Sequence, residues 1–462
     1  MERVYVMTTD RKSPGRILLT ILRNTQTRSL LALALLASGC SKQEEAAVAP
    51  PVQAQVAPRT ILRQSTVRES IPQSEFASEK IESKLPVYEI LMDPQDLMRM
   101  DQNPRGEERY PATFKANGVV HKDAKIRYRG QWARTWPKKP LKIFFSDEQP
   151  FDGQKRLNLN SCFRDTSFIR EPLAYHIYRA AGMPAGESKL VRVHLNGEFR
   201  GLYVQVEQPD KRFLKRKDLK GATIVKAASN TKQSDERFFG SADEYRMHYE
   251  QETQKDHDIA PALKQFCEQI ETAPDALEFF QSNVDLDNYI NYLAASVFCQ
   301  NWDSYNKNHF LIYNAADSKK WFVLPWDLDR TLGDHWDWSF GRADLPIELG
   351  TEQAPGVTGW NRMKNKFFTH PELRKKLADR LETLLKTEFT PEKLDPILDE
   401  MHAAIKAEAA LDYQRWPNPT GATWWRDEGV GLDRSVATVK QFIRDRREFL
   451  QAAIPQLRAG AE

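Results

Sequence analysis

The chain has 462 residues, 40% of them hydrophobic, and 67 Lys plus Arg against 64 Asp plus Glu for a formal net charge of +3. That length buries one large core or two ordinary ones. The balanced charge, with no basic block interleaved with aromatics, argues against a nucleic-acid partner. Eleven Trp and 26 Pro point to a loop-rich α+β protein and against a coiled coil or helical array. No pair among Cys40, Cys162, Cys267 and Cys299 has metal-ligand spacing, which argues against a zinc site. With Cys40 read as part of a processing signal, three cysteines remain, so at least one free thiol is expected and no disulfide framework.

From the N-terminus, Leu30 to Ala37 is an apolar run preceded by Arg23 and Arg28 and free of acids, the pattern of a secretory signal. It is about half of the roughly 20 residues that span a bilayer. The run ends in Leu36-Ala37-Ser38-Gly39-Cys40. Small residues before a Cys resemble the lipobox of bacterial lipoproteins, which implies acylation of Cys40 and a lipid anchor. The plainer alternative is an ordinary signal peptide with a chance Cys. Ser41 to about Pro72 is rich in Ala, Val, Gln, Pro and Ser, a tether composition. The expected organisation is a signal over 1–40, a tether over 41–75 and one soluble domain over 86–455. The expected location is the bacterial cell envelope, as an extracytoplasmic lipoprotein on the periplasmic face or the cell surface.

Pro86 to Met92 reads as a strand, Ala124 to Tyr128 as a second before a turn at Arg129-Gly130-Gln131, and Leu141 to Phe145 as a third. Leu157 to Asn160 is a short alternating strand. A helix is predicted from Ser167 to Ala181, its apolar positions Ile169, Leu173, Ile177 and Tyr178 at helical spacing, with Gly182 and Pro184 as stops. Leu190 to Leu195 and Phe199 to Val206 form a hairpin across Asn196-Gly197. Ala227 to about Ala260 is charged and weakly periodic, an expected excursion. Leu286, Tyr289, Ile290, Leu293, Ala294, Val297 and Phe298 make one apolar helical stripe. Strands His309 to Tyr313 and Trp321 to Leu324 follow, and helices over Glu372 to Leu385, Pro391 to Ala410 and Val436 to Ala453 close the chain.

Asp303, Asn308, Asp327 and Asp329 lie at strand or helix ends around the hairpin of residues 309–324. Phosphoryl transfer needs such a set: one carboxylate orients the acceptor hydroxyl, and an Asp and an Asn hold Mg²⁺ on the phosphates. Hard cations call for oxygen ligands. The spacing Asp303-x-x-x-x-Asn308, then a strand pair ending in Asp327, matches the order of the protein-kinase catalytic loop and metal-binding Asp. Singly, each of the four reads as a turn former or cap; jointly they favour a metal–nucleotide site.

Several segments in order resemble the CotH (spore-coat protein H) kinase family. They are Asn308 to Tyr313 with Leu324 to Gly333, Arg129-Gly130 with Pro137 to Lys142, and Ile169 to Ala174. Asn196 to Tyr203 continuing to Glu207, Ala410 to Trp416, and Phe442 to Phe449 complete the set. The resemblance implies an atypical protein-kinase-like, two-lobed fold with a sheet-rich N-lobe and a helical C-lobe. It implies Asp303 as catalytic base and Asn308 and Asp327 as ligands of Mg²⁺ or Mn²⁺, with Asp329 as helper. Lys142 would bind the ATP phosphates, with Lys139 as the alternative. Glu171 would supply the lysine's ion-pair partner, Glu207 would stand at the hinge, and Trp326 would stack on adenine. No Gly-rich phosphate loop is present; Gly130 stands alone, so Arg129, Gln131 and Arg134 would have to assist. The implied activity is transfer of a phosphoryl group from ATP to Ser or Thr of a secreted or envelope protein. The competing readings are a catalytically weak or inactive surface lipoprotein serving in binding or adhesion, and a metal-dependent phosphohydrolase. The nine histidines lack ligand spacing, which leaves no histidine with a role.

Overall fold

The computed structural model describes residues 83–228, 233–334, 341–356, 359–417 and 431–459, together with two short strands near the N-terminus. The chain divides into two compact units, Met1–Glu69 and Ser70–Glu462. In the first, β1 (Met7–Thr9) and β2 (Ile17–Leu19) pair antiparallel with Met7 opposite Leu19. The signal run, Cys40 and the tether lie outside the described residues.

The second unit begins with β3 (Val87–Leu91), α1 (Pro94–Gln102), β4 (Tyr110–Ala116), β5 (Val119–Tyr128), β6 (Leu141–Phe144) and β7 (Arg156–Asn160). Next come α2 (Arg170–Ala180), β8 (Ser188–Leu195) and β9 (Glu198–Val206). The seven strands close a barrel in the order β3-β4-β5-β6-β7-β9-β8, all pairs antiparallel except β3 with β8. Closure leaves no strand edge unpaired. Period-two alternation sends Ile90, Phe114, Ile126, Leu141, Leu157 and Tyr203 into the barrel core. The opposite face of β9, with Leu202, Val204 and Val206, joins a second and larger core shared with α2 and the helical half. Asn196 and Gly197 have φ of 50° and 80° at the β8–β9 turn, the positive values that a type I′ hairpin turn requires.

The predicted helix at Ser167 starts later, at Arg170, for a local reason. Phe168 has φ of 60°, and the Asp165 carboxylate accepts from the backbone N–H groups of Ser167 (2.9 Å) and Arg170 (3.0 Å). A side-chain cap therefore takes up the donors that another helical turn would have used.

The remaining elements are α3 (Lys211–Arg216), β10 (Thr223–Ala227), α4 (Ala242–His248), β11 (Tyr249–Gln251), α5 (Ala260–Thr272), α6 (Ala276–Asn283) and α7 (Leu286–Cys299). They continue with β12 (His309–Tyr313), β13 (Trp321–Pro325), α8 (Arg362–Thr369), α9 (Pro371–Thr387), α10 (Pro391–Arg415) and α11 (Leu432–Ala459). A four-stranded antiparallel sheet, β11-β10-β12-β13, leads the helical half. The expected excursion over residues 227–260 thus supplies α4 and β11, the latter an edge strand of that sheet. No helix among the described residues is long and apolar enough to cross a membrane. Cys162, Cys267 and Cys299 are free thiols. A sheet-rich N-terminal half and a helical C-terminal half give the α+β class expected.

Helix α7 packs against α2, α9 and β13. Buried Arg446 on α11 donates to the Val297 carbonyl from Nε (3.1 Å) and Nη2 (2.7 Å), placing a cation at the C-terminal end of α7. That helix end delivers the segment that carries Asp303.

The C-terminal turns of α10 brace the barrel. The Asp412 carboxylate, fully buried, accepts from the Leu202 N–H of β9 at 2.8 Å and pairs with the equally buried Lys138 ammonium. Lys138 also donates to the Leu202 carbonyl at 2.5 Å. Tyr413 donates its hydroxyl to Thr166 O, and Trp416 Nε1 donates to Arg200 O at 2.8 Å. Gly201 lets this pair form: its φ is +137°, and a Cβ there would stand 2.5 Å from Asp412 Oδ2 and 2.7 Å from Lys138 Cε.

Removing one partner of a buried ion pair leaves a charge without compensation. Asp412→Leu should therefore cost about 3–5 kcal/mol, whereas Lys138→Met/Asp412→Leu should recover most of the loss. Denaturant or thermal unfolding of both variants checks the ordering; equal losses would mean that the pair is not what matters at this contact.

Candidate active site

The site forms where α7 runs into β12 and β13. Helix α7 ends with Gln300 in the left-handed region at φ 52°. Asn301 donates to Tyr178 of α2 at 2.9 Å, fixing the exit of the chain. A short 3₁₀ turn, Trp302–Ser304, follows and carries Asp303. The register that pairs His309 with Pro325 puts Asn308 and Asp327 at the same end of the β12–β13 ribbon. Asn308 and Asp327 both have φ of 60°. Asn and Asp tolerate this region better than other residues with side chains, yet it still stores strain, and such strain gathers at functional sites.

Asp303 is buried, and its Oδ2 accepts from Lys307 Nζ at 2.8 Å and from Asn308 Nδ2 at 2.9 Å. Its other oxygen, Oδ1, is buried without a hydrogen-bond partner among the described residues. Burial pushes the Asp303 carboxyl above the usual range, Lys307 opposes this, and Asp327 adds to it. Asp329 is raised well above its ordinary value by burial and by Asp327. Glu171, at the start of α2, is raised to about 8 by burial; hydrogen bonds from Asn160 oppose the rise and Asp327 adds to it. Asp327 thus bears on three other acids, and Arg129, Lys307 and Arg330 supply the opposing charge.

A hard divalent cation suits this donor set. Among the described residues no three His, Cys, Asp or Glu side chains stand close enough to hold a metal ion alone. Mg²⁺, however, is usually bound through one or two carboxylates plus substrate phosphates and water. The fit rests on the uncapped Asp303 Oδ1, on the acids gathered around Asp327, and on Asn308: with its amide nitrogen on Asp303, its amide oxygen is the atom left to meet a cation.

The lysine side of the site is arranged differently from the resemblance. Lys142, on the outer face of β6, donates to Gln208 Oε1 at 3.4 Å. Burial, and then Arg129, lower its pKa to about 7. Glu171 does not meet this lysine; both its oxygens accept from Asn160 Nδ2, at 2.7 and 2.8 Å. The cation that bears on Glu171 and Asp327 is Arg129, whose guanidinium carbon lies 5.7 Å from the Trp326 ring centroid. Trp326 itself is buried, edge-on to Phe310 at 5.1 Å, so its ring belongs to the core of the ribbon. Lys139 places its ammonium 5.5 Å from the Tyr128 ring centroid. Glu207 follows β9, pairs with Arg216 and accepts from Glu187 N–H at 3.1 Å.

Sequence reasoning passed over Lys307, although it sits inside the Asp303–Asn308 loop. It also passed over Asn160, Arg330, and the buried group of Glu236, His309 and Asn361. His309 Nε2 meets Glu236 Oε1 at 2.7 Å. No local pattern marks Glu236, which lies 73 positions from His309 in the charged stretch.

Residues 126–450 match the family model described as CotH kinase protein. Inner spore coat protein H of Bacillus subtilis is 26% identical over 383 residues, covering 80% of this chain and 98% of that protein. An inner spore coat protein H-like protein of the same organism is 21% identical over 314 residues, covering 67% and 84%. The crystal structure of the Helicobacter pylori proinflammatory kinase CtkA aligns over 69% of this chain and 94% of its own, with 12% identity and a TM-score of 0.32. With the family model spanning the barrel from within β5 through most of α11, the chain belongs to the CotH kinase family.

Proposed function

We propose that this chain is an atypical protein kinase that transfers the γ-phosphoryl group of ATP to a Ser or Thr hydroxyl of a protein in the cell envelope, from a domain anchored through an acylated Cys40. The observation that carries the reading is the buried Asp303, five residues before Asn308 and joined to Asp327 by one β-ribbon, with an oxygen left without a partner among the described residues.

In this reading Asp303 accepts the proton of the attacking hydroxyl. Its raised pKa brings it nearer the working pH, where a general base is most effective. Lys307 and Asn308 hold its other oxygen and so fix the direction of attack. Asn308 and Asp327 would hold Mg²⁺ or Mn²⁺, with Asp329 beside them; bound there, the ion neutralises charge on the phosphates. Arg129 and Lys142 offer positive charge to the phosphates from the barrel side. Lys142 is released from Gln208 for this, and Glu171 stays with Asn160. A weak or inactive binding module is favoured by one observation, that Lys142 rests on Gln208 while Glu171 accepts from Asn160. Incubating the purified full chain with γ-labelled ATP and Mg²⁺ or Mn²⁺ and following label on protein decides between them: autophosphorylation supports the kinase, and its absence under both metals supports the binder.

Asp303→Ala should lower transfer by about a hundred- to ten-thousandfold and leave ATP affinity nearly intact, because the interaction is made in the transition state. Loss of ATP binding together with transfer would make Asp303 a metal ligand, and full activity would remove it from the chemistry.

Lys142 gives a pH-dependent prediction. Its folded pKa is near 7 against an ordinary 10.5. Between those values the unfolded chain holds a proton that the folded chain lacks, so stability falls as the pH drops from 10.5 towards 7, and the penalty is complete below 7. Lys142→Met should therefore melt above the wild type at low pH, with the advantage fading as the pH rises towards 10.5. A variant that melts lower at every pH would show that the ammonium stabilises the fold.

A further inference from the structure

His309 opens β12 directly after Asn308, and its ring is buried with every polar atom engaged. Nδ1 lies 3.2 Å from the Ser304 carbonyl and 3.1 Å from the Lys307 carbonyl. Nε2 lies 2.7 Å from Glu236 Oε1. All three neighbours are acceptors, so the ring serves them as a donor on both nitrogens, and the carboxylate supplies the opposing charge. The two carbonyls belong to the loop between Asp303 and Asn308. A single imidazole therefore draws both ends of that loop to one point.

Glu236 is held in turn from several sides. Its Oε2 accepts from Asn361 Nδ2, and its N–H donates to the Tyr249 hydroxyl at 3.0 Å. Asn361 also donates to the Tyr305 carbonyl at 3.1 Å, inside the same loop, while its Oδ1 caps α8 through Lys364 N–H at 2.8 Å. Two residues before Glu236, the Ser234 N–H donates to the Asn306 carbonyl at 3.1 Å. The carbonyls of Ser304, Tyr305, Asn306 and Lys307 are all taken by donors in this arrangement. A small cavity of about 20 Å³ lies alongside, lined in part by Glu236, His309 and Asn361.

We propose that Glu236 is a positioning residue for phosphoryl transfer: through His309 and Asn361 it fixes the Asp303–Asn308 loop so that Asp303 faces the acceptor and Asn308 faces the phosphates. This rests on the kinase reading for its consequence and on the hydrogen bonds alone for its geometry. Misplacing a reacting group by about an ångström costs on the order of a hundredfold in rate.

The test uses the full chain with three variants and two readouts, kcat against KM for ATP and hydrogen–deuterium exchange across residues 301–309. Glu236→Gln puts an amide nitrogen where Asn361 needs an acceptor or His309 does. It should lower kcat about ten- to a hundredfold, leave KM for ATP within about twofold, and speed exchange in 301–309 while the barrel strands keep their protection. His309→Asn keeps a donor near the Nδ1 position but gives up Glu236, and His309→Gln reaches Glu236 but abandons the carbonyls; each breaks the link from Glu236 to the loop, so both should speed exchange in 301–309 and lower kcat with KM for ATP nearly unchanged. These two variants keep the proposal testable if Glu236→Gln fails to fold. A folded Glu236→Gln with wild-type kcat and wild-type exchange overturns the proposal, as does a His309→Asn that keeps the slow exchange and kcat of the wild type, since the loop would then hold without Glu236. Selective loosening of 301–309 in a chain whose wild type transfers no phosphoryl group would retain the positioning group and discard the kinase reading instead.

Discussion

The Lys138–Asp412 pair sets the constraint that the rest of the unit Ser70–Glu462 obeys. Two opposite charges, both wholly removed from water, sit where the last turns of α10 meet β9. Neither tolerates burial alone, because the desolvation of a lone ion costs several kcal/mol. The pair holds only where a backbone N–H, a backbone carbonyl and the absence of a side chain at Gly201 coincide. Barrel and helical half are thereby fixed at one point, and Tyr413 and Trp416 extend the contact on either side. Lys142 belongs to the barrel so fixed, and Asp327 follows the β12–β13 ribbon of the helical half.

Around Asp327 the dominant physical fact is crowding of acids. Burial raises Asp303, Asp329 and Glu171, and Asp327 raises each of them further. Three cations are set against this: Lys307 on Asp303, Arg330 beside Asp329 and Asp303, and Arg129 towards Glu171 and Asp327. The site balances its acids with arginines and a loop lysine. Lys142, which a kinase would spend on phosphate, rests on an amide with its charge disfavoured.

How much of this could be read in the sequence depended on whether the cause was local. The Asn196-Gly197 turn, the apolar stripe of α7 and the ribbon between Asn308 and Asp327 follow from neighbours a few positions apart, and the structure places them where periodicity and turn chemistry require. Helix α2 came three residues late because a single carboxylate, Asp165, outcompeted the first helical turn. Strand β4 escaped reading although its burial alternates, since Pro111 inside it reads against a strand. The side-chain pairs were the least legible. Lys138 and Asp412 are 274 positions apart, and His309 and Glu236 are 73 apart. No periodicity carries such pairings, and a charged stretch such as 227–260 reads the same whether its acids face water or a buried imidazole.

The left-handed backbone at Asn308 and Asp327 connects the last two points. Asn308 stands where the chain enters the ribbon and Asp327 where it has left it, both in a strained left-handed backbone. Their neighbours are held. On the Asn308 side, His309 is pinned between two loop carbonyls and Glu236. On the Asp327 side, Trp326 is locked edge-on against Phe310, and the Leu332 N–H is tied to the Cys299 carbonyl at the end of α7. The strain is held by contacts that the adjoining residues make. Asn308 and Asp327 thus keep their left-handed backbone at the same end of the ribbon.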